Sequence, residues 1–201
     1  MRFFHFVFLV AVVAIFPAPF LSCQQTEPEA KKSPPPPLSA IDNDFVKKQF
    51  GSSCALIGMP PLVGDLNGDG IDDVVIPARC KNPMSDQTED NFTVMDPYYT
   101  FFGYGNPKVT SAFSGDVPTD RGLALLVIHG SGTETWNSPT PAGKFVIVNL
   151  PFKQVTVKKL MVKKKKVMAI YLEETGADQM TSALYWDGKR YHYEPMGASM
   201  E

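Results

Sequence analysis

Cysteine and histidine are both scarce in this chain, with three of each in 201 residues. No histidine lies near Cys54 or Cys80 in sequence, and only His129 and His192 remain beyond the N-terminal segment. That argues against a catalytic cysteine, which needs a nearby base. No Gly-x-Ser-x-Gly stretch occurs, so the nucleophile elbow of one large hydrolase class is missing. No internal repeat of useful period appears, which excludes an array of small repeated units. The net charge is only −2, too small in total to suggest a nucleic-acid binder. The charge is unevenly spread, however. From Lys144 to Lys166 there is no acidic residue, whereas from Asp65 to Asp96 the acids strongly outnumber Arg79 and Lys81. Hydrophobic residues make up 44 %, enough for one globular domain with its own core.

The N-terminus reads as a targeting segment. Arg2 gives a short positive start, and Phe6 to Phe16 is an apolar run of signal-peptide length. Pro17 and Pro19 then break any helix. The next residues, Phe20-Leu21-Ser22-Cys23, resemble a bacterial lipobox, where a signal peptidase cuts before a cysteine that carries a lipid. The resemblance implies a signal peptide over residues 1–22, lipidation of Cys23, and a cell-envelope protein held to a membrane by its N-terminal lipid. Gln24 and Gln25, by resemblance to Gram-negative sorting, imply the outer membrane. The competing reading is an uncleaved anchor helix over Phe3 to Ser22. Residues 23–38, with Pro34 to Pro37 consecutive, read as an extended, solvated tether; a ligand for a proline-recognition module is the alternative. Asn91-Phe92-Thr93 matches a glycosylation acceptor, which the bacterial lipobox discounts.

The folded part is expected over residues 39–201. Ser39 or Asp42 caps a short helix through about Phe50, with Gly51 as its stop, and Ile41, Phe45 and Val46 face the core. Leu62-Val63 and Val74-Val75-Ile76 flank an acidic loop as two strands. Lys81 to Thr93 is polar and reads as irregular. Asp96 to Gly105, rich in tyrosine and phenylalanine, fits either a helical turn or an aromatic loop. Further strands are expected at Leu123 to His129, Lys144 to Leu150, Gln154 to Val162 and Val167 to Leu172. Lys163 to Lys166 then forms a hairpin tip, and Asp187-Gly188 a two-residue turn between Ala183 to Trp186 and Lys189 to Tyr193. The expected class is α+β: a mainly antiparallel β-sheet with a short N-terminal helix and a calcium loop between two strands.

The acidic loop carries the most specific chemistry. Val63 to Ile76 places Asp65, Asn67, Asp69 and Asp73 at positions 1, 3, 5 and 9, with Gly70 at position 6. Alternate residues of a tight loop can aim oxygens at one centre, and calcium takes six to eight of them. The backbone carbonyl of Ile71 supplies the seventh position, and Gly68 and Gly70 permit the bend. Magnesium dehydrates reluctantly and fits less well. Ile76 stands where an EF-hand needs a bidentate Glu, so the loop is not an EF-hand. The segment resembles instead the Asp-rich core of FG-GAP and related β-propeller repeats. That resemblance implies Ca2+ bound by Asp65, Asn67, Asp69 and Asp73 with Ile71 through its backbone. The chain holds one such loop, whereas a propeller needs several blades and a dockerin needs two loops with following helices. The competing reading is a solvated, Gly-rich turn without metal.

If Cys23 takes lipid, Cys54 and Cys80 remain as a pair, and an exported protein favours their disulfide over two buried free thiols. Other constellations are weaker. His129-Gly-Ser-Gly132, with Glu134, suggests either an ordinary turn or the site of an envelope hydrolase. The lysines from Lys158 to Lys166 suit an anionic glycan or lipid surface, or simply a solvated, aggregation-resistant hairpin. Tyr185, Trp186, Tyr191 and Tyr193 suit a sugar-binding platform or a structural cross-strand cluster. Together these point to a non-catalytic lipoprotein domain that binds or supports an envelope partner and does not bind nucleic acid.

Overall fold

The computed structural model describes residues 37–104, 119–150, 152–175 and 180–198. The expected signal peptide, the lipidation site Cys23 and most of the Pro-rich tether lie outside the described residues. After a single 3-10 turn, α1 spans Asn43–Phe50. Asp42 is its cap, since its side chain accepts the Phe45 N–H, and Gly51 ends it at φ 78°. Strands β1 (Cys54–Leu56), β2 (Leu62–Gly64) and β3 (Asp73–Cys80) follow. The short helix α2 (Pro83–Asp86), strand β4 (Thr93–Met95) and helix α3 (Pro97–Phe101) come next. The remaining strands are β5 (Leu123–His129), β6 (Gly143–Val148), β7 (Phe152–Val162), β8 (Lys165–Glu174), β9 (Met180–Trp186) and β10 (Tyr191–Ala198).

The strands form two sheets. One has the order β1-β3-β5-β6-β4, with β2 also on β3; the other is the meander β10-β9-β8-β7. All pairings are antiparallel except β4 with β6, so the first sheet is mixed. The eight residues of β3 organise it. One edge pairs with β5, while the other is shared by β2, up to Val75, and β1, from Ala78. Pro77, which has no N–H to donate, falls in the gap between them.

The first sheet is buried on both faces, which is why β3, β5 and β6 read as unbroken apolar runs. Val74, Ile76, Leu126, Ile128 and Val146 pack under α1, against Val46, Phe50, Phe92 and Trp136. Val75, Leu125, Val127 and Ile147 point the other way and meet Phe152, Ile170, Leu172 and Leu184 of the second sheet. The protein is thus helix on sheet on sheet. Burying each such side chain contributes ~1.5–3 kcal/mol, so the central sheet couples both layers.

Several expectations are corrected in detail. Lys81 to Thr93 is not wholly irregular, because it holds α2 and leads into β4. Of the two readings of Asp96 to Gly105, the helical turn holds over Pro97–Phe101, since Asp96 accepts the Tyr99 N–H and Pro97 sits at the first helical turn. The lysine turn is only Lys163-Lys164, because Val162 still pairs with Lys165. The last hairpin closes through four residues: the Asp187 side chain captures the Lys189 and Arg190 amides, and pairing starts at Trp186 with Tyr191.

Cys54 and Cys80 face each other across β1 and β3 and form a disulfide. The bridge closes the segment that contains β2 and the acidic loop. A covalent loop of this size stabilises by ~3 kcal/mol. The Cys54→Ala/Cys80→Ala double variant should therefore melt ~6–12 °C below the oxidised wild type. An unchanged melting temperature in differential scanning calorimetry would show that the strands hold this register unaided.

Candidate functional site

The acidic loop leaves β2 at Gly64 and enters β3 at Asp73, and its conformation is built from its own carboxylates. Asp65 Oδ1 accepts the N–H groups of Gly68 (2.7 Å) and Asp69 (3.1 Å), and Oδ2 accepts that of Gly70 (3.0 Å). Asn67 Oδ1 accepts the Asp69 N–H, and Asp69 Oδ1 accepts the Ile71 N–H. Asn67 Nδ2 also donates to Asp69 Oδ2 at 2.9 Å. These are side chains folding back over the amides just ahead of them, the local habit of Asx residues in turns. Gly68 and Gly70 both sit at φ 81°, where a side chain would strain the backbone.

Asp73 does something different. It is fully buried and faces inward. Its Oδ2 accepts the N–H groups of Leu66 (2.7 Å) and Asn67 (3.2 Å), and its Oδ1 accepts that of Gly130 (2.8 Å), 57 residues away. One carboxylate thus ties the acidic loop to the turn that follows β5. Gly130 has no room for a side chain: a Cβ there would lie 2.4 Å from the Asp72 carbonyl oxygen and 2.8 Å from Thr135. Burial pushes the Asp73 carboxyl up to about 7, against the opposing pull of its three amide donors.

The His129-Gly-Ser-Gly132 turn is therefore a neighbour of the acidic loop, which sequence separation hides. His129 is buried between Phe145, Trp186 and Tyr191, and its Nε2 lies 2.7 Å from the Tyr191 hydroxyl. Ser131 Oγ instead donates to the Thr140 carbonyl and lies 2.9 Å from Ser138 Oγ, from which it can accept. Ser131 and His129 make no hydrogen bond to each other, and Glu134 is exposed. Thr135 holds φ 53° and ψ −129°, a Gly-like conformation, while its carbonyl accepts from the Ser131 and Ser138 amides.

The aromatic residues of the last hairpin do not share one face. Trp186, Tyr191 and Tyr193 pack into the core between the sheets, whereas Tyr185 lies on the opposite face of its sheet, half-buried against Leu160, Ala169 and Ala183, and stacks on His192 at 5.3 Å. The hydroxyl of Tyr193 donates to the buried carboxylate of Glu174 at 2.7 Å, a pair that the sequence did not single out. Their side of the core is closed by Tyr98 of α3, 5.1 Å from Tyr193.

Among the described residues, no three His, Cys, Asp or Glu side chains converge in an arrangement that could hold a metal. Asp65, Asn67 and Asp69 are hard oxygen donors on the accessible side of the loop. Each Asp carboxylate there keeps acceptor capacity beyond its amide bonds, so this donor set suits a hard cation in kind. Asp65 and Asp73 both accept backbone amides on each of their oxygens, and burial is what sets Asp73 apart. No protein-family model matches the chain, and neither curated proteins nor solved structures yield a match. No helix among the described residues is long and apolar enough to cross a membrane.

Burial drives His129 down to about 4, although the fields of Asp69 and Asp65 pull it upward. A histidine lowered on folding stabilises the protein above its unfolded value of 6.5, and that contribution is lost as pH falls toward 4. Asp73 has the opposite sign. Its raised value favours the fold most below about 4, and that favour is lost as pH rises through about 7. The histidine effect is therefore read as a difference between proteins. In denaturant titrations with chelator, the stability advantage of wild type over His129→Gln should shrink by roughly 3 kcal/mol between pH 6.5 and 4. A constant difference would mean that His129 is not held neutral.

Proposed function

We propose that this chain is a non-catalytic cell-envelope lipoprotein, anchored through Cys23, whose β-rich domain binds or supports an envelope partner and is stabilised by one calcium ion. The observation that carries the calcium reading is the division of labour in the acidic loop. Asp73 turns inward and fastens the loop to β5, while Asp65, Asn67 and Asp69 present oxygens on its accessible side. Asp65, Asn67 and Asp69 would hold the ion, with the Ile71 carbonyl beside them. Asp65 and Asp73 would each share an oxygen that already accepts an amide, and Asp73 is in addition fully buried. The ion supplies positive charge between acids that otherwise repel, and no chemical step is asked of it.

Calcium then acts by linkage: an ion that binds only the folded loop stabilises the fold. Lacking a bidentate Glu at position 12, the loop should bind in the ~0.1–1 mM range of extracellular modules. The non-catalytic reading is supported by the separate hydrogen-bond partners of Ser131 and His129, which form no nucleophile–base pair. The envelope reading rests on the lipobox-like Leu21-Ser22-Cys23.

The test is calorimetric titration with calcium, together with melting in calcium and in chelator. Calcium at ~10 mM should give binding heat and add ~1.4–2.7 kcal/mol of stability, a shift of several degrees. Asp69→Ala should abolish both effects and leave the chelated protein within ~1 kcal/mol of wild type, because Asp69 is exposed. Absence of heat and of any shift in wild type would overturn the calcium reading.

A further inference from the structure

The β7–β8 hairpin reaches past the rest of its sheet. β9 pairs with β8 only from Glu173 to Ala169, whereas β7 and β8 stay paired as far as Val162 and Lys165. Beyond Ala169 the hairpin is therefore a two-stranded ribbon, ~13 Å long at ~3.3 Å per residue. Its base is covered by Gly64, where an added Cβ would lie 2.9 Å from Val157. Lys158, Lys159, Lys163, Lys164, Lys165 and Lys166 are all exposed along this hairpin. The ion pairs of the described residues, Lys153–Glu173 and His192–Asp187, involve none of these lysines.

Two observations distinguish the tip from an ordinary solvated turn. Lys163 and Lys164 form the turn with φ 45° and 71°. A two-residue turn with both φ values positive favours Asn-Gly, so lysine at both places runs against turn chemistry. Edge protection does not explain them either, because these two residues lie outside the ladder. The second observation is Met161. It pairs with Lys166 and is 57 % exposed, an apolar side chain set among like charges at the end of the ribbon.

We propose that this tip docks on the anionic phospholipid surface of a bilayer. The lysine ammonium groups would meet headgroup phosphates, and Met161 would enter the boundary between headgroups and acyl chains. A basic, partly apolar projection matches that interface on both counts. A soluble polyanion would engage the lysines but leave Met161 without a role. The proposal draws on the envelope reading only for the nearness of a membrane, and neither lipidation nor calcium is needed for its test.

The full chain carrying Cys23→Ser is measured in chelator against vesicles of phosphatidylcholine alone and of phosphatidylcholine with phosphatidylglycerol. The N-terminal segment, which includes Arg2, Lys31 and Lys32, is common to every variant, so each variant is read against the same chain with lysines and Met161 intact. The anionic vesicles should bind about tenfold or more tighter at low salt, and the preference should fade at high salt. Lys163→Asn/Lys164→Gly keeps a turn suited to positive φ and should lose about tenfold on anionic vesicles only. Met161→Ser should weaken binding severalfold, with a loss that persists at high salt. Equal binding to both vesicle types, or an unchanged preference in the lysine variant, would overturn the proposal. So would heparin binding as tight as vesicle binding with Met161→Ser silent in both, which would assign the tip to a soluble polyanion.

Discussion

Three backbone amides converge on one buried carboxylate, that of Asp73, and the arrangement of this end of the protein depends on them. Leu66 and Asn67 come from the acidic loop, and Gly130 comes from the turn after β5. Without an acceptor, each buried amide would lose ~1–3 kcal/mol. The carboxylate therefore does more than begin β3. It determines how the loop lies on the sheet, and the tight approach of Gly130 to the Asp72 carbonyl follows from it. The loop's remaining side chains are freed to curl it from the outside.

The strand that Asp73 begins also joins the layers. β3 lies between β5 on one edge and β1 and β2 on the other. Its alternate residues enter the two cores, Val74 and Ile76 on the helix side and Val75 on the side of the second sheet. Asp73 is the last residue of this pattern before the loop, and Leu66 of the loop drops into the inter-sheet core. His129, at the end of β5, completes the region by lying neutral against Tyr191. The acidic loop and a buried histidine thus meet at the Asp73 end of β3, and the Cys54–Cys80 disulfide ties β1 to its other end.

Much of this was legible in the sequence, for physical reasons that can be named. β5 reads as an unbroken apolar run because both of its faces are covered. α1 announces itself through Asp42 and Gly51, and β2 and β3 through the Gly-rich loop between them. The Cys54–Cys80 bridge followed from counting the cysteines. What was hidden depends on distant partners. β4 has three residues and exists because it lies parallel to β6, some fifty positions on. Asp73 looks like one more acid in a series, and only Gly130 shows which way it points. Asp187-Gly188 looks like a two-residue turn until the Asp187 side chain takes two amides and lengthens it. The aromatic cluster around that turn divides by strand parity once the pairing of Trp186 with Tyr191 is known.

Asp73 holds the loop and the β5 turn together, and amide hydrogen exchange tests that tie residue by residue. In the metal-free wild type, the amides of Leu66, Asn67 and Gly130 should be protected. In Asp73→Ala all three should exchange at least ~10-fold faster relative to the core amide of Leu126, with Gly130 and Leu66 opening together. If Gly130 keeps its protection when Asp73 is gone, the two segments are held by something other than this carboxylate.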